Sequence, residues 1–127
     1  MNHARDKAIS IVQGFLESKR FKANALVESN QFSLLHEAVL RDNVEVVRLL
    51  LQMGAHADTR SKNSNTPLHL CMTGYNEDKA IEIAELLLAA GANVSAWNYS
   101  NHTPLMIADE KGKTKIATYL RRRGAQK

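Results

Sequence analysis

The chain has 127 residues, 44% of them hydrophobic and 24% charged, which is typical of a folded globular domain and not of a disordered chain. Its apolar stretches are too short to span a bilayer, no apolar signal segment stands at the N-terminus, and a single cysteine excludes an intramolecular disulfide. We therefore expect an intracellular protein of the cytoplasm or nucleus, with a net charge of +4 that suits acidic partners.

The N-terminal segment has an amphipathic helical pattern. Ile9, Val12 and Leu16 recur at helical spacing between residues 4 and 20. We predict that residues 1–27 form a helical cap that covers the apolar side of the unit that follows. A helix lying on a membrane surface is the alternative, but the lysine and arginine content of the segment is ordinary.

A short phrase then occurs three times. It begins with Ser or Thr, a residue type that caps helix N-termini, and in two copies Pro occupies the first helical position. The copies are Ser33-Leu34-Leu35-His36, Thr66-Pro67-Leu68-His69 and Thr103-Pro104-Leu105-Met106. Each copy is followed by a second apolar segment that ends in Gly-Ala, at residues 54–55, 91–92 and 124–125. The spacing predicts three helix pairs in a row.

The unit boundaries follow from this spacing. Repeat one spans residues 28–60 with helices at 33–40 and 43–53, and repeat two spans residues 61–97 with helices at 67–73 and 79–90. Repeat three spans residues 98–127, with helices starting at 104 and covering 113–123. Repeat two is four residues longer than its neighbours, and we assign the insertion to a loop at residues 74–78, because loops absorb insertions most easily. The longer loop is either incidental or a widening of a binding surface.

The last unit carries seven basic residues from Lys111 onward and no acidic residue. In our alignment, Arg121 takes the position that Leu50 and Leu87 hold in the earlier units. A charged residue there suits the solvent-facing end of a stack, where a leucine would be left in water. Binding of nucleic acid or of an acidic partner by residues 111–127 is the alternative function.

The period and the motifs resemble those of ankyrin repeats. The closest matches are Thr66-Pro67-Leu68-His69, the helix Val46-Val47-Arg48-Leu49-Leu50-Leu51, and Leu86-Leu87-Leu88 followed by Gly91-Ala92. The resemblance covers roughly residues 28–127 and implies an all-α ankyrin-repeat solenoid, with the whole chain as one domain. It also implies that His36 and His69 hydrogen-bond the neighbouring hairpin, and that the protein is a non-enzymatic module for protein–protein interaction.

Motifs for other chemistry are weak. Gly112-Lys113-Thr114 resembles the end of a phosphate-binding loop, but Ile107 stands where that loop needs a glycine. Cys71 lies in an apolar helix without a histidine and acid partner set, so we interpret it as a buried side chain. We expect no enzyme activity, no cofactor, no metal and no small-molecule substrate.

The expected partner is another protein, bound through the hairpins between repeats and the exposed ends of the first helices. The only Trp of the chain falls on one hairpin, and Trp, Tyr and Arg most often dominate interface energies. Packing of Trp97 over its own hairpin is the competing interpretation. The candidate binding residues are Arg60, Lys62, Asn63 and Asn65 on the first hairpin; Trp97, Tyr99, Ser100 and His102 on the second; Leu40, Arg41, Met72, Thr73, Glu110 and Lys111 on the first helices; and Tyr75 in the inserted loop.

Overall fold

The computed structural model describes residues 33–125. The predicted cap at residues 1–27 lies outside these residues and stays a prediction. Six helices follow one another, and no strand occurs in the range described. The helices are α1 (Leu34–Leu40), α2 (Val44–Gln52), α3 (Pro67–Cys71), α4 (Glu77–Ala89), α5 (Pro104–Glu110) and α6 (Thr114–Arg122). The all-α fold is confirmed, and the first helix of each unit begins where the sequence predicts.

Local chemistry explains these helix starts. Ser33 and Thr66 each accept a hydrogen bond from the backbone N–H three residues on, and the histidine at that position accepts one back from the N-cap backbone N–H. This reciprocal capping box satisfies two backbone donors that no helical bond can reach. Thr103 caps α5 in the same way with its hydroxyl, but Met106 cannot return the bond.

The helix pairs stack side by side. In each unit the first helix packs on the second, α3 packs between α1 and α5, and α4 packs between α2 and α6. The molecule therefore has two layers, one of short first helices and one of longer second helices. Equivalent leucines fill the space between the layers and are fully buried: Leu35, Leu68 and Leu105 on the first helices, and Leu50, Leu87 and Leu120 on the second.

The buried leucines correct our alignment of the last unit. Leu120, not Arg121, occupies the position of Leu50 and Leu87, because all three precede the closing glycine by four residues. Arg121 is exposed and corresponds to Leu51 and Leu88, which are partly buried against the rest of the core. Our sequence alignment was therefore one residue out of register.

Our prediction of where the insertion in repeat two lies was also wrong. Asn43, Asn76 and Lys113 are the N-caps of the second helices, and each follows the opening Ser or Thr by ten residues. The connection between the two helices is thus equally long in all three units. The four extra residues lie inside α4, which has 13 residues where α2 and α6 have 9. The predicted loop at 74–78 ends at Asn76, and Glu77 and Asp78 are helical.

Candidate protein-binding surface

Two neighbouring hairpins, the first at residues 57–65 and the second at residues 94–102, are joined by hydrogen bonds. The backbone N–H of Tyr99 donates to the carbonyl oxygen of Asn63 at 3.1 Å. The side-chain amide of Asn98 donates to Oδ1 of Asn65 at 2.8 Å. The structure therefore brings the candidate residues of the two hairpins together as one surface.

Arg60 strengthens this connection. Its Nη1 donates to the carbonyl oxygen of Trp97 at 2.6 Å and to the carbonyl oxygen of Ser64 at 3.0 Å. Ser64 has a φ of 61°, a left-handed conformation that side chains seldom adopt, and its hydroxyl also accepts from Arg60 at 3.2 Å. The guanidinium group is held in place although the side chain lies at the protein surface.

Buried histidines fix both hairpins to the first helices. Nε2 of His36 donates to the carbonyl oxygen of Asn65 at 2.8 Å, and Nε2 of His69 donates to that of His102 at 3.0 Å. In both rings Nδ1 accepts the N-cap backbone N–H at 3.0 Å, so the proton must be on Nε2. The hydrogen bonds implied by the family resemblance are confirmed.

Their burial affects the protonation of these histidines. Loss of hydration lowers the pKa of His36 and of His69 below the ordinary value of 6.5, although hydrogen bonds to the hairpin carbonyls oppose the shift. Both imidazoles are therefore held in the neutral form, with each Nδ1 free of a proton.

Exposed aromatic side chains lie on the second hairpin. Tyr99 exposes 79% of its surface and Trp97 exposes 51%. Half of Trp97 is thus covered by the protein and half faces solvent, and its role in binding stays a prediction. Lys62 and Asn63 on the first hairpin are exposed, whereas Asn65 and His102 are partly buried and serve as braces.

Another candidate group lies at the opposite end of the first helices. Leu40 is 41% exposed, Arg41 is exposed, and Tyr75 is fully exposed. A helix of seven residues is about 10 Å long, so this group and the hairpins do not form a single small site. The first turn of α4 and the start of α2 border an open recess here of about 460 Å³, lined in part by Arg41 and Glu82.

Met72 does not belong to any exposed surface. It is completely buried and packs in the hydrophobic core, contrary to our expectation. The reason is that Met72 follows the opening Thr66 by six residues, the same position that the buried Val39 holds in repeat one. That equivalence was visible in the sequence and would have excluded Met72.

Four basic residues of repeat three contact other groups of the protein. Lys113 donates to the carbonyl oxygen of Gly74, and Arg121 forms an ion pair with Asp109 at 2.8 Å. Other side chains in this group have weaker partners: Lys115 lies 3.8 Å from Asp78, and Arg123 lies over the ring of Tyr119. These contacts fit the solvent-facing end of a stack better than a basic binding surface.

The described residues show neither a metal-holding cluster nor a membrane-spanning helix. Residues 33–125 contain no group of three or more His, Cys, Asp or Glu side chains placed to hold a metal ion. In the same range no helix is long and apolar enough to cross a membrane. Cys71 is buried, and burial raises the pKa of its thiol far above the ordinary value.

Comparison with known proteins identifies related sequences. A family model described as ankyrin repeats, in three copies, matches residues 1–96. Human protein phosphatase 1 regulatory subunit 27 is 30% identical over 120 residues, which is 94% of this chain and 74% of that protein. Human ankyrin repeat and SOCS box protein 16 is 42% identical over 79 residues, which is 61% of this chain.

A further relative is the NF-kappa-B inhibitor cactus of Drosophila melanogaster, 30% identical over 93 residues and 72% of this chain. Coverage of the relatives differs widely. The matched region spans only 17% of the SOCS box protein and 18% of cactus, but about three quarters of the human phosphatase subunit. The names of two of these relatives describe a regulatory subunit and an inhibitor.

Proposed function

Because the chain belongs to the ankyrin-repeat family, whose repeats are generally protein–protein interaction modules, we propose that it binds a partner protein through its two hairpins and performs no catalysis itself. The single observation that carries this proposal is the joined pair of hairpins with Trp97 and Tyr99 exposed. Large aromatic side chains on a rigid support contribute most to interface energies, because they bury much area and lose little conformational freedom.

The names of two relatives also support a proposal for the kind of action. Relatives are named as a phosphatase regulatory subunit and as an inhibitor. We infer that this protein regulates its partner by occupying a surface of it, either as an inhibitor or as a scaffold. An intracellular setting suits the one cysteine, which is unpaired and buried.

Two exposed tyrosines allow a matched test. Tyr99 lies on the second hairpin and Tyr75 at the other end of the stack, and both side chains are mostly exposed. A photo-crosslinking amino acid at either position should perturb the fold little. We expect the probe at position 99 to capture a defined partner from cells, and the probe at position 75 not to capture it.

The alanine variants extend this test to affinity. Tyr99→Ala should weaken binding of the captured partner at least about tenfold, and Tyr75→Ala should leave it unchanged. Thermal unfolding of both variants should match that of the unaltered chain, since both side chains are exposed. Equal capture from both positions, or unchanged affinity of Tyr99→Ala, would contradict binding through the hairpins.

A further inference from the structure

The two hairpins differ in chemistry at equivalent positions. Residues 57–65 and 94–102 correspond with an offset of 37 residues. By this correspondence Arg60 matches Trp97, and Lys62 matches Tyr99. The first hairpin therefore carries two cations where the second carries two aromatic rings, and the hydrogen bonds between the hairpins hold these four residues in one small area.

The two cations of the first hairpin form no ion pair with the residues that the structure describes. Nη1 of Arg60 is bonded only to uncharged acceptors, the oxygens of Ser64 and the carbonyl of Trp97. Within residues 33–125 no carboxylate lies within ion-pair distance of Arg60 or of Lys62. Both side chains are exposed, so their charges are available to carboxylates of a partner.

Acidic residues are nearly missing from this surface. Asp58 is the single acid in the two hairpin segments, and both of its oxygens accept the backbone N–H of Asn93 at 3.0 Å. Its carboxylate therefore binds the backbone at the base of the second hairpin and does not form an ion pair with Arg60. The chain's other acids among residues 33–125 lie on helices or in the turns that join them.

From this arrangement we propose that the partner segment recognised by the hairpins is an extended acidic peptide, with carboxylates on Arg60 and Lys62 and apolar side chains on Trp97 and Tyr99. The inference rests on the proposed function and specifies its partner. Arg60 is suited to a carboxylate because its guanidinium group presents several donors in one plane, and its fixed position reduces the entropy lost on binding.

A nucleic acid is a poorer fit. Binding of a phosphate backbone depends on the release of many counterions and needs a run of cations along the strand. The hairpins supply two cations and two rings, which suits a short segment that carries both acidic and apolar side chains on the face that meets this surface. Successive side chains of an extended peptide point to opposite sides, so every second residue would face this surface.

The probe for a test is a short linear peptide selected from a random displayed library on the intact chain. Its isostere, with each Asp replaced by Asn and each Glu by Gln, is the matched peptide control. Binding is read from the fluorescence of Trp97, the only tryptophan of the chain, and independently by calorimetry. We expect the selected peptides to be rich in acidic residues and the isostere to bind at least about tenfold more weakly.

Variants of the protein test which of its cations bind the acidic peptide. Lys62→Glu makes no change to a described contact and should weaken the acidic peptide about tenfold or more, because it places like charges together. Arg60→Gln should do the same, and Arg60→Lys, which keeps the charge but not the planar donors, should retain part of the affinity. Lys79→Glu is the control. Lys79 is an exposed cation in the first turn of α4, and this change should alter the affinity for the peptide little.

Three results would overturn the inference: equal binding of the acidic peptide and its isostere, unchanged affinity of Lys62→Glu, or competition by a single-stranded oligonucleotide as strong as that by the acidic peptide. Its failure is separable from failure of the proposed function. If the crosslinker at position 99 captures a partner through a neutral segment, binding by the hairpins stands and the acidic specificity is wrong.

Discussion

Repeat two and repeat one have nearly the same second helix, except for one additional turn. In repeat one, Asn43 is followed directly by Val-Glu-Val-Val-Arg-Leu-Leu-Leu. In repeat two, Asn76 is followed by Glu77-Asp78-Lys79-Ala80 and then by Ile-Glu-Ile-Ala-Glu-Leu-Leu-Leu. The four inserted residues thus separate the N-cap from an apolar pattern that is otherwise conserved between the two units.

The geometry of a helix explains why this insertion is tolerated. Four residues turn the chain by about 400°, which is one full turn and about 40° more, so both the cap and the apolar face keep their orientation. Ile83, Ala84 and Leu87 remain fully buried, and Ala80 adds a further buried side chain one turn earlier. A stack of helices can therefore absorb an insertion within a helix when its length is close to a whole turn.

The added turn changes the contacts of the unit at that end. Asp78 lies near Lys115 of repeat three, and Lys113 of the same repeat bonds the carbonyl oxygen of Gly74. Tyr75 is left fully exposed beside the turn. At the hairpin end, the buried histidine of repeat two makes the same hydrogen bonds as that of repeat one. Repeat two therefore differs from repeat one in its contacts at one end only.

The largest effect should come from the core of repeat two. Leu87→Ala should lower the free energy of unfolding by about 3–5 kcal/mol, because Leu87 is fully buried in a helix packed on both sides. Leu120→Ala should lower it less, since α6 packs against α4 on one side alone among the described residues. Denaturant titration measures both, and equal losses would contradict this difference between central and terminal units.

Removal of the inserted turn should have a smaller effect. Deletion of residues 77–80 should leave a folded chain that is less stable by about 2 kcal/mol, through loss of the buried Ala80 and of contacts to repeat three. Deletion of residues 78–79 alone is the control and should be more damaging, because two residues rotate the cap by about 200°. Circular dichroism and thermal unfolding report the result. A four-residue deletion that unfolds the chain would show that the turn is essential.

Acid should weaken the hydrogen bonds that the buried histidines make to the hairpins. The pKa of His69 lies below 6.5 when folded, so its contribution is fully present above pH 6.5 and is lost as the pH falls from there through the folded-state pKa. His69→Gln cannot titrate, and it keeps an acceptor for the cap. The free energy of unfolding of this variant should change less steeply with pH than that of the unaltered chain, by at most about 1.4 kcal/mol per pH unit. Identical slopes in denaturant titrations at pH 5 to 8 would contradict the prediction.

The smallest effect concerns the turn between the helices of repeat two. A Cβ at Gly74 would lie 3.0 Å from Oδ1 of Asp42 in repeat one, which is tight. Gly74→Ala should therefore be close to neutral, since this crowding offsets a gain of about 0.4–1 kcal/mol from a stiffer unfolded chain. Asp42 has a φ of 54°, so Asp42→Gly is compatible with its backbone. In the Asp42→Gly background, Gly74→Ala should show the full gain in the free energy of unfolding. A double-mutant cycle that finds no coupling energy between the two positions would count against the contact.

The candidate site was predictable in part. The positions of Arg60, Trp97 and Tyr99 on hairpins follow from the repeat spacing, and all three are exposed, Trp97 over about half of its surface. The sequence pattern does not show that Arg60 bonds the carbonyl of Trp97 from 37 residues away, or that Asn65 is a brace between hairpins. Such bonds depend on how neighbouring units are placed, which no local pattern specifies.

Within residues 33–125, the sequence by itself determined the number of helix pairs, the starts of the first helices and the ends of the second. Caps such as Thr66 and glycines such as Gly54, with its φ of 95°, act within one turn of chain. The tertiary structure decided the rest: the insertion lies inside α4, Met72 is buried, and the hairpin of Arg60 is hydrogen-bonded to the hairpin of Trp97 and Tyr99. These features depend on packing between units, where a side chain is buried or exposed according to what lies against it.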